Sequence, residues 1–154
     1  MKHQLFFLGK IKDRFIEEGV GEYASRLQHY TSFTITILKE KGRGRGKQLT
    51  AEEQGKLLLQ AVPSGAAIVV LDAKGQQFTS EAFSRKIDQW EMQGTKQVCY
   101  LIGGPDGHAP KVRSAADLLL SLSKMTFTHD MARLLLIEQL YRAYTIKAGE
   151  QYHK

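Results

Sequence analysis

A glycine-rich segment, Gly103-Gly104-Pro105-Asp106-Gly107, directly follows an apolar run at residues 98–102 that is typical of a buried strand. In open α/β sheets, ligands bind at the carboxyl ends of the strands, and glycines there let the backbone approach a ligand or adopt a positive φ. The pattern therefore predicts a ligand-binding turn. Asp106-Gly107 is also an ordinary turn signal, so a tight turn without a ligand explains this segment equally well when it is taken alone.

A second candidate segment, LLLSLSKMTF at residues 118–127, ends an apolar run in small hydroxyl and apolar residues. Such a segment can offer backbone amides and carbonyls to a base-like ring, because ligand sites are mostly apolar with a few placed polar groups. In isolation, the end of an amphipathic strand is the better interpretation.

A basic glycine loop, KEKGRGRGK, occupies residues 39–47. It is not a P-loop, because Lys41 stands at the first glycine position and Gln48 at the position of the final Ser or Thr. It is not a dinucleotide fingerprint either, because Lys47 replaces the third glycine. We expect Arg43, Arg45 and Lys47 to contact RNA phosphates. The alternative is a solvated loop that has no partner.

The last predicted helix and the C-terminus contain the remaining polar candidates. Arg133 and Arg142 are nine residues apart and need not share a helix face. Arg142 and Glu138 have the i,i+4 spacing of a surface ion pair, and His129 is more typical of a helix cap or a packing residue. The chain ends in Tyr152-His153-Lys154, for which disorder is the alternative.

The composition excludes several classes of protein. Hydrophobic residues make up 42% and charged residues 25% of the 154, which is typical of one globular domain, here residues 1–154. A single cysteine excludes a disulfide framework, and the five histidines show no metal-ligand spacing. No apolar run is long enough for a membrane span or a signal peptide, so we expect a cytoplasmic protein. The net charge of +6 favours an anionic partner, with nucleic acid first.

Strands and helices are predicted to alternate along the chain, which indicates an α/β fold with a mainly parallel sheet. The last helix is apolar on more than one side, which we take to indicate a subunit interface. A turn is predicted at residues 73–75. Strands are predicted at residues 4–9, 33–38, 66–72, 98–102 and 118–122, and helices at residues 13–29, 50–61, 80–93, 110–116 and 130–147.

Four motifs in order, LIGGPDG (101–107), LSLSKMTF (120–127), EQLYRA (138–143) and the terminal YHK (152–154), resemble the RlmH family of SPOUT methyltransferases. This family methylates N3 of a pseudouridine in large-subunit ribosomal RNA. The similarity spans the whole chain, including its length, its first strand and its basic glycine loop. Two positions depart from the family's pattern, because Thr128 and Gln151 stand where the family often has proline.

The resemblance implies a three-layer α/β/α SPOUT fold whose C-terminal part forms a trefoil knot, a homodimer, and S-adenosylmethionine as the cofactor without a metal. It implies a substrate stem-loop near the decoding region, met in the assembled ribosome. The cofactor pocket carried over by position comprises Leu71, Gly103, Leu122, Ser123, Lys124, Met125, Thr126 and Phe127.

The implied chemistry requires removal of the N3 proton before methyl transfer. His153 is the candidate base, because histidine titrates near neutrality. Arg142, and with it Arg133, would stabilise negative charge on the ring or hold a phosphate, and Tyr152 would stack on the base or orient it. RNA contacts are expected from Arg43, Arg45, Lys47, Arg133 and Lys154.

Two alternative functions remain at this point. One is a SPOUT methyltransferase that acts on another RNA, such as tRNA. The other is a non-catalytic, ribosome-associated RNA-binding module, which would bind RNA but not S-adenosylmethionine.

Overall fold

The computed structural model describes residues 1–39 and 48–153 of the chain. Within this part, five strands form one sheet in the order β2-β1-β4-β3-β5, and all paired neighbours run parallel. The carboxyl ends of β4, β3 and β5 therefore lie side by side at one edge. The strands are β1 Lys2–Leu8, β2 Ser32–Leu38, β3 Ala67–Gln76, β4 Gln97–Ile102 and β5 Leu118–Leu120.

Helices connect the strands, and side-chain caps begin several of them. Thr50 and Glu53 form the predicted capping box of α2. Thr128 caps α5, accepting a hydrogen bond from the Met131 amide at 3.3 Å. The hydroxyl that replaces the family's proline thus has a structural role. The helices are α1 Arg14–Leu27, α2 Ala51–Ala61, α3 Ser80–Met92, α4 Pro110–Ser114 and α5 His129–Lys147, followed by a 3₁₀ turn at Gln151–His153.

Helices cover both faces of the sheet, which confirms the predicted three-layer α/β/α fold. One core packs α1, α3 and α5 against side chains such as Tyr100 of β4. The other core packs α2 and α4 against the opposite face, where Cys99 and Leu101 of β4 are buried. Burial on both faces explains why β4 is a continuous apolar run. The knot stays a prediction.

Two predicted element ends are wrong at the sheet edge. β5 ends at Leu120 and not at residue 122. The turn predicted at residues 73–75 is part of β3, whose pairing with β5 shifts register between Leu71 and Gln76. Gly75 permits this path, because a Cβ there would lie 2.6 Å from the Leu119 carbonyl group. The glycine signal came from a close backbone approach and not from a turn.

The apolar circumference of α5 is largely covered within the chain itself. The helix packs against α1 on one side and α3 on the other, and it also contacts the 3₁₀ turn. No residue of His129–Lys147 is exposed. Neighbouring helices thus account for much of the apolar pattern of this helix, and the subunit interface stays a prediction. None of the helices in residues 1–39 and 48–153 has the length and apolarity needed to cross a membrane.

Arg133 is completely buried, which corrects the prediction that it contacts RNA. Its guanidinium donates to Asp130 Oδ1 at 3.0 Å and to the Leu8 carbonyl at 2.6 Å. It also lies 4.6 Å above the centroid of the Phe7 ring. A side chain held on three sides under the sheet edge cannot reach a phosphate, so we assign Arg133 to holding α5 against β1.

Replacing Arg133 by methionine is expected to lower the free energy of unfolding by about 3 kcal/mol, because the change leaves the Asp130 carboxylate without its cation. Urea unfolding followed by circular dichroism measures the change. Arg14→Met is the matched control, because Arg14 pairs with Glu18 on an exposed helix face and should contribute little. Equal losses in the two variants would contradict the structural role of Arg133.

A buried polar network surrounds His3 at the other end of the sheet. Its Nδ1 lies 3.0 Å from the Tyr100 hydroxyl and its Nε2 lies 2.8 Å from the Tyr144 hydroxyl. Tyr144 in turn donates to Glu91 at 3.2 Å. Burial lowers the pKa of His3 to about 3, so the folded protein holds this imidazole uncharged at neutral pH.

The protein is expected to lose stability as the pH falls from the ordinary histidine pKa towards 3, because only the unfolded chain then protonates His3. Between pH 7.5 and pH 4.5, we expect it to lose about 3 kcal/mol more than His3→Gln does. Urea unfolding at both pH values measures the difference. His29→Gln, at an exposed position, is the control that should keep the full pH dependence. The same slope in His3→Gln and the unaltered protein would rule out His3 as its source.

Candidate functional site

A cavity of about 660 Å³ opens at the edge where β3, β4 and β5 end. This is the position predicted from the glycine-rich turn, and its volume suits a nucleoside-sized ligand. Of the predicted pocket residues, Lys124 is exposed and does not line it. The predicted residues that do line it are Leu71, Gly103, Leu122, Ser123, Met125, Thr126 and Phe127.

The glycine turn after β4 forms one wall of the cavity. Gly104 and Gly107 pair with each other, and Gly107 has a φ of 75°, which favours glycine. A Cβ on Gly103 would lie 3.1 Å from His108 Cε1 and 3.2 Å from the Gly107 carbonyl oxygen. A Cβ on Gly104 would lie 3.1 Å from Gln54 Oε1. A side chain at either of these two positions would therefore require its neighbours to shift by a few tenths of an ångström.

The segment between β5 and α5 forms the opposite wall. Ser121 donates its hydroxyl proton to the Ser123 carbonyl at 2.9 Å, and the Met125 amide donates to the Ser123 hydroxyl at 3.0 Å. These short-range bonds shape the segment without any regular element. Met125 and Phe127 are 75% and 43% exposed, so the wall ends in an apolar rim.

Three titratable side chains in the cavity wall were not predicted: Asp72, His108 and His129. Asp72 pairs with Arg113 at 3.1 Å, and His129 lies 3.8 Å from Asp130. Asp72 and His108 directly follow the last predicted pocket residue of β3 and the glycine turn, respectively. The signal for Asp72 was its position at a predicted strand end, and the signal for His108 was its position directly after the glycine turn.

Arg142 and Tyr152 meet at a second place, around the carboxylate of Glu138. Arg142 donates to Glu138 Oε1 through Nε at 3.0 Å and Nη2 at 2.6 Å. Its guanidinium also lies 4.8 Å above the Tyr152 ring. The Tyr152 hydroxyl donates to Glu138 at 3.2 Å and lies 3.1 Å from the Tyr23 hydroxyl. The predicted i,i+4 ion pair is confirmed. Because Tyr152 contacts both of its members, the pair also holds the C-terminal 3₁₀ turn against α5.

His153 is held by α3. Its Nε2 lies 2.7 Å from Glu81 Oε1. The pKa of Glu81 is lowered to about 2, chiefly by a hydrogen bond from its own backbone and then by the bond with His153. The cavity at the sheet edge is not lined by any of the three C-terminal candidates of the same chain, which are Arg142, Tyr152 and His153.

A smaller cavity of about 200 Å³ lies next to the first, and both are lined by Leu120, Leu122 and Phe127. Gln139 of α5 also lines it and donates to Glu138 at 2.7 Å. The wall of the small cavity therefore connects the main cavity to the cluster around Glu138. The remaining basic candidates, Arg43, Arg45, Lys47 and Lys154, lie outside the described residues.

Known proteins are similar to this sequence along its whole length. The family described as "Predicted SPOUT methyltransferase" matches residues 1–153. The "Ribosomal RNA large subunit methyltransferase H" of Desulfotalea psychrophila is 58% identical over 100% of both chains. The proteins of the same name from Halothermothrix orenii and Clostridium acetobutylicum are 39% and 37% identical, again over 100% of both chains. The chain therefore belongs to the SPOUT methyltransferases and, within them, to the family of the ribosomal RNA large subunit methyltransferases H.

Proposed function

We propose that this protein transfers a methyl group from S-adenosylmethionine to N3 of a pseudouridine in large-subunit ribosomal RNA. The target would be a stem-loop near the decoding region of the assembled ribosome, which places the enzyme in the cytoplasm. The observation that carries the proposal is the cavity at the carboxyl edge of β3, β4 and β5. The names of the full-length relatives support the RNA substrate.

The cavity has the properties that a nucleoside methyl donor requires. Its two walls are a close-packed glycine turn and a segment of small hydroxyl and apolar residues. Such walls can hold an adenine ring through backbone groups, which explains why side chains at these positions are small or apolar. Bound there, S-adenosylmethionine supplies an electrophilic methyl group on a sulfonium. In the described part of the chain, no group of three or more histidine, cysteine, aspartate or glutamate side chains is placed to hold a metal ion.

The C-terminal residues would act on the acceptor. The N3 atom of the base carries an imide proton, and its electron pair becomes a good nucleophile only when that proton leaves. His153 would accept the proton through a ring nitrogen. Arg142 would stabilise the negative charge that develops on the ring, and Tyr152 would orient the base by stacking.

We propose that a homodimer completes the site. The cluster of Arg142, Tyr152 and His153 does not line the cavity of its own chain, so a second copy is needed to bring such a cluster to a donor. Within each copy, residues 1–154 would act as one domain. The positions Arg43, Arg45, Lys47 and Lys154 would bind RNA phosphates and make binding weaker as the salt concentration rises.

Methyl transfer to ribosomes tests the function. Assembled ribosomes from a strain that lacks this enzyme should accept one labelled methyl group per ribosome, and mass spectrometry should place that group on a pseudouridine of the large subunit. Ribosomes that already carry the methyl group are the control. Transfer to tRNA instead would favour another RNA specificity within the same family. RNA binding without S-adenosylmethionine binding would indicate a non-catalytic module.

A further inference from the structure

His108 is a half-buried imidazole in the wall of the main cavity. It follows the glycine turn and packs against Gly103. Its Nε2 atom is buried and, among the described residues, has no hydrogen-bond partner. A buried N–H group without an acceptor costs about 1–3 kcal/mol, so the form without a proton on Nε2 is favoured.

The charges around His108 are already paired. Asp72 of β3 faces it, but Asp72 is bound to Arg113 of α4 at 3.1 Å. Burial lowers the pKa of His108 and Arg113 acts in the same direction, which outweighs the effects of Asp72 and of the Leu71 and Leu101 carbonyls. On α5, a charge on the other lining imidazole, His129, would face Asp130, which also binds Arg133. Among the described residues, the carboxylate that acts on His108 is that of Asp72, and Arg113 already pairs with it.

The cofactor and its product differ in charge at one atom. S-adenosylmethionine carries a sulfonium cation, whereas S-adenosylhomocysteine, the product left after transfer, has a neutral thioether and is otherwise the same. A fixed positive charge in a partly desolvated cavity repels the first ligand and leaves the second nearly unaffected.

We propose that His108 sets the charge selectivity of the cavity, which is its preference between the sulfonium donor and the thioether product. This inference rests on the proposed function. As an uncharged imidazole it admits the sulfonium donor, and a cation at the same position makes the cavity prefer the thioether product. The feature that the donor requires is thus an uncharged side chain at position 108, and His108 has no role in moving the methyl group.

Calorimetric titration of both ligands into three proteins tests the proposal. The proteins are the unaltered chain, His108→Lys and His108→Gln at about pH 7.5, where lysine is charged and glutamine is neutral. The quantity compared is the ratio of the two dissociation constants. In His108→Lys, this ratio is expected to shift about tenfold against S-adenosylmethionine. In His108→Gln, the ratio should match that of the unaltered chain.

Comparing the ratio of the two dissociation constants cancels any effect of the substitution on the cavity's shape that weakens both ligands equally. His108→Arg provides a second cationic variant if the lysine variant does not fold. Equal ratios in the cationic and neutral variants would overturn the proposal and leave the proposed function intact. Binding of neither ligand by the unaltered, folded chain would overturn both.

Discussion

Replacing Gly103 by valine is expected to weaken S-adenosylmethionine binding by about a hundredfold or more, which corresponds to roughly 3 kcal/mol. The reason is space: a Cβ at this position would lie 3.1 Å from His108 Cε1 and 3.2 Å from the Gly107 carbonyl oxygen. The Gly107 carbonyl belongs to the turn, so relieving this contact shifts the turn itself, and the branched methyl groups would also fill part of the cavity. Calorimetry with S-adenosylmethionine measures the loss.

Gly21→Ala is the matched control for this change. Gly21 lies on α1, where a Cβ would meet no heavy atom within 4 Å. Alanine there should keep the affinity and raise stability slightly, because glycine is a poor helix residue. Circular dichroism shows whether each variant is folded. A folded Gly103→Val that binds the donor as tightly as the Gly21→Ala control would remove this cavity from the proposed reaction.

Replacing Arg142 by alanine is expected to reduce the rate of methyl transfer by about a hundredfold to a thousandfold, the usual cost of losing a group that stabilises developing charge. Donor affinity should change by less than about twofold, since the guanidinium lies with Glu138 and Tyr152 and away from the cavity. His153→Ala should show the same separation. Single-turnover transfer to unmethylated ribosomes, paired with calorimetry, measures both quantities.

Arg14→Ala controls for the loss of an arginine from an i,i+4 pair, because Arg14 pairs with Glu18 on exposed α1. Its transfer rate should equal that of the unaltered protein. Arg142→Lys separates the effect of charge from that of shape. A lysine retains the positive charge but lacks the two N–H groups that donate to Glu138 Oε1. If Arg142→Ala or His153→Ala lowers donor affinity and transfer rate equally, the assigned roles are wrong.

The sequence predicted the sheet and its edge well because apolar runs and glycine turns are local signals. The run before Gly103 is apolar on both faces of β4, and that pattern identified both the strand and the sheet edge where the main cavity opens. The capping box at Thr50 is equally local. Most of the predicted pocket came from the family resemblance and not from periodicity.

The errors arose where distant parts of the chain meet. Gly75 reads as a turn residue, and only its contact with the Leu119 backbone explains it. Arg133 reads as a free cation on a helix, whereas packing of α5 on β1 buries it under Leu8. The apolar pattern of α5 alone could not separate intrachain packing from a partner subunit, because its neighbours α1 and α3 lie far away in sequence. No single-segment pattern contains these contacts.

The bond from the Ser121 amide to the Gln76 carbonyl, at 2.9 Å, ties the start of the β5–α5 segment to the sheet. Strand ladders hold β3 and β4 in the sheet as well. Farther along the β5–α5 segment, Met125 and Phe127 are exposed to solvent. For the proposed methyl transfer, we therefore expect the donor to enter and its product to leave past this apolar rim.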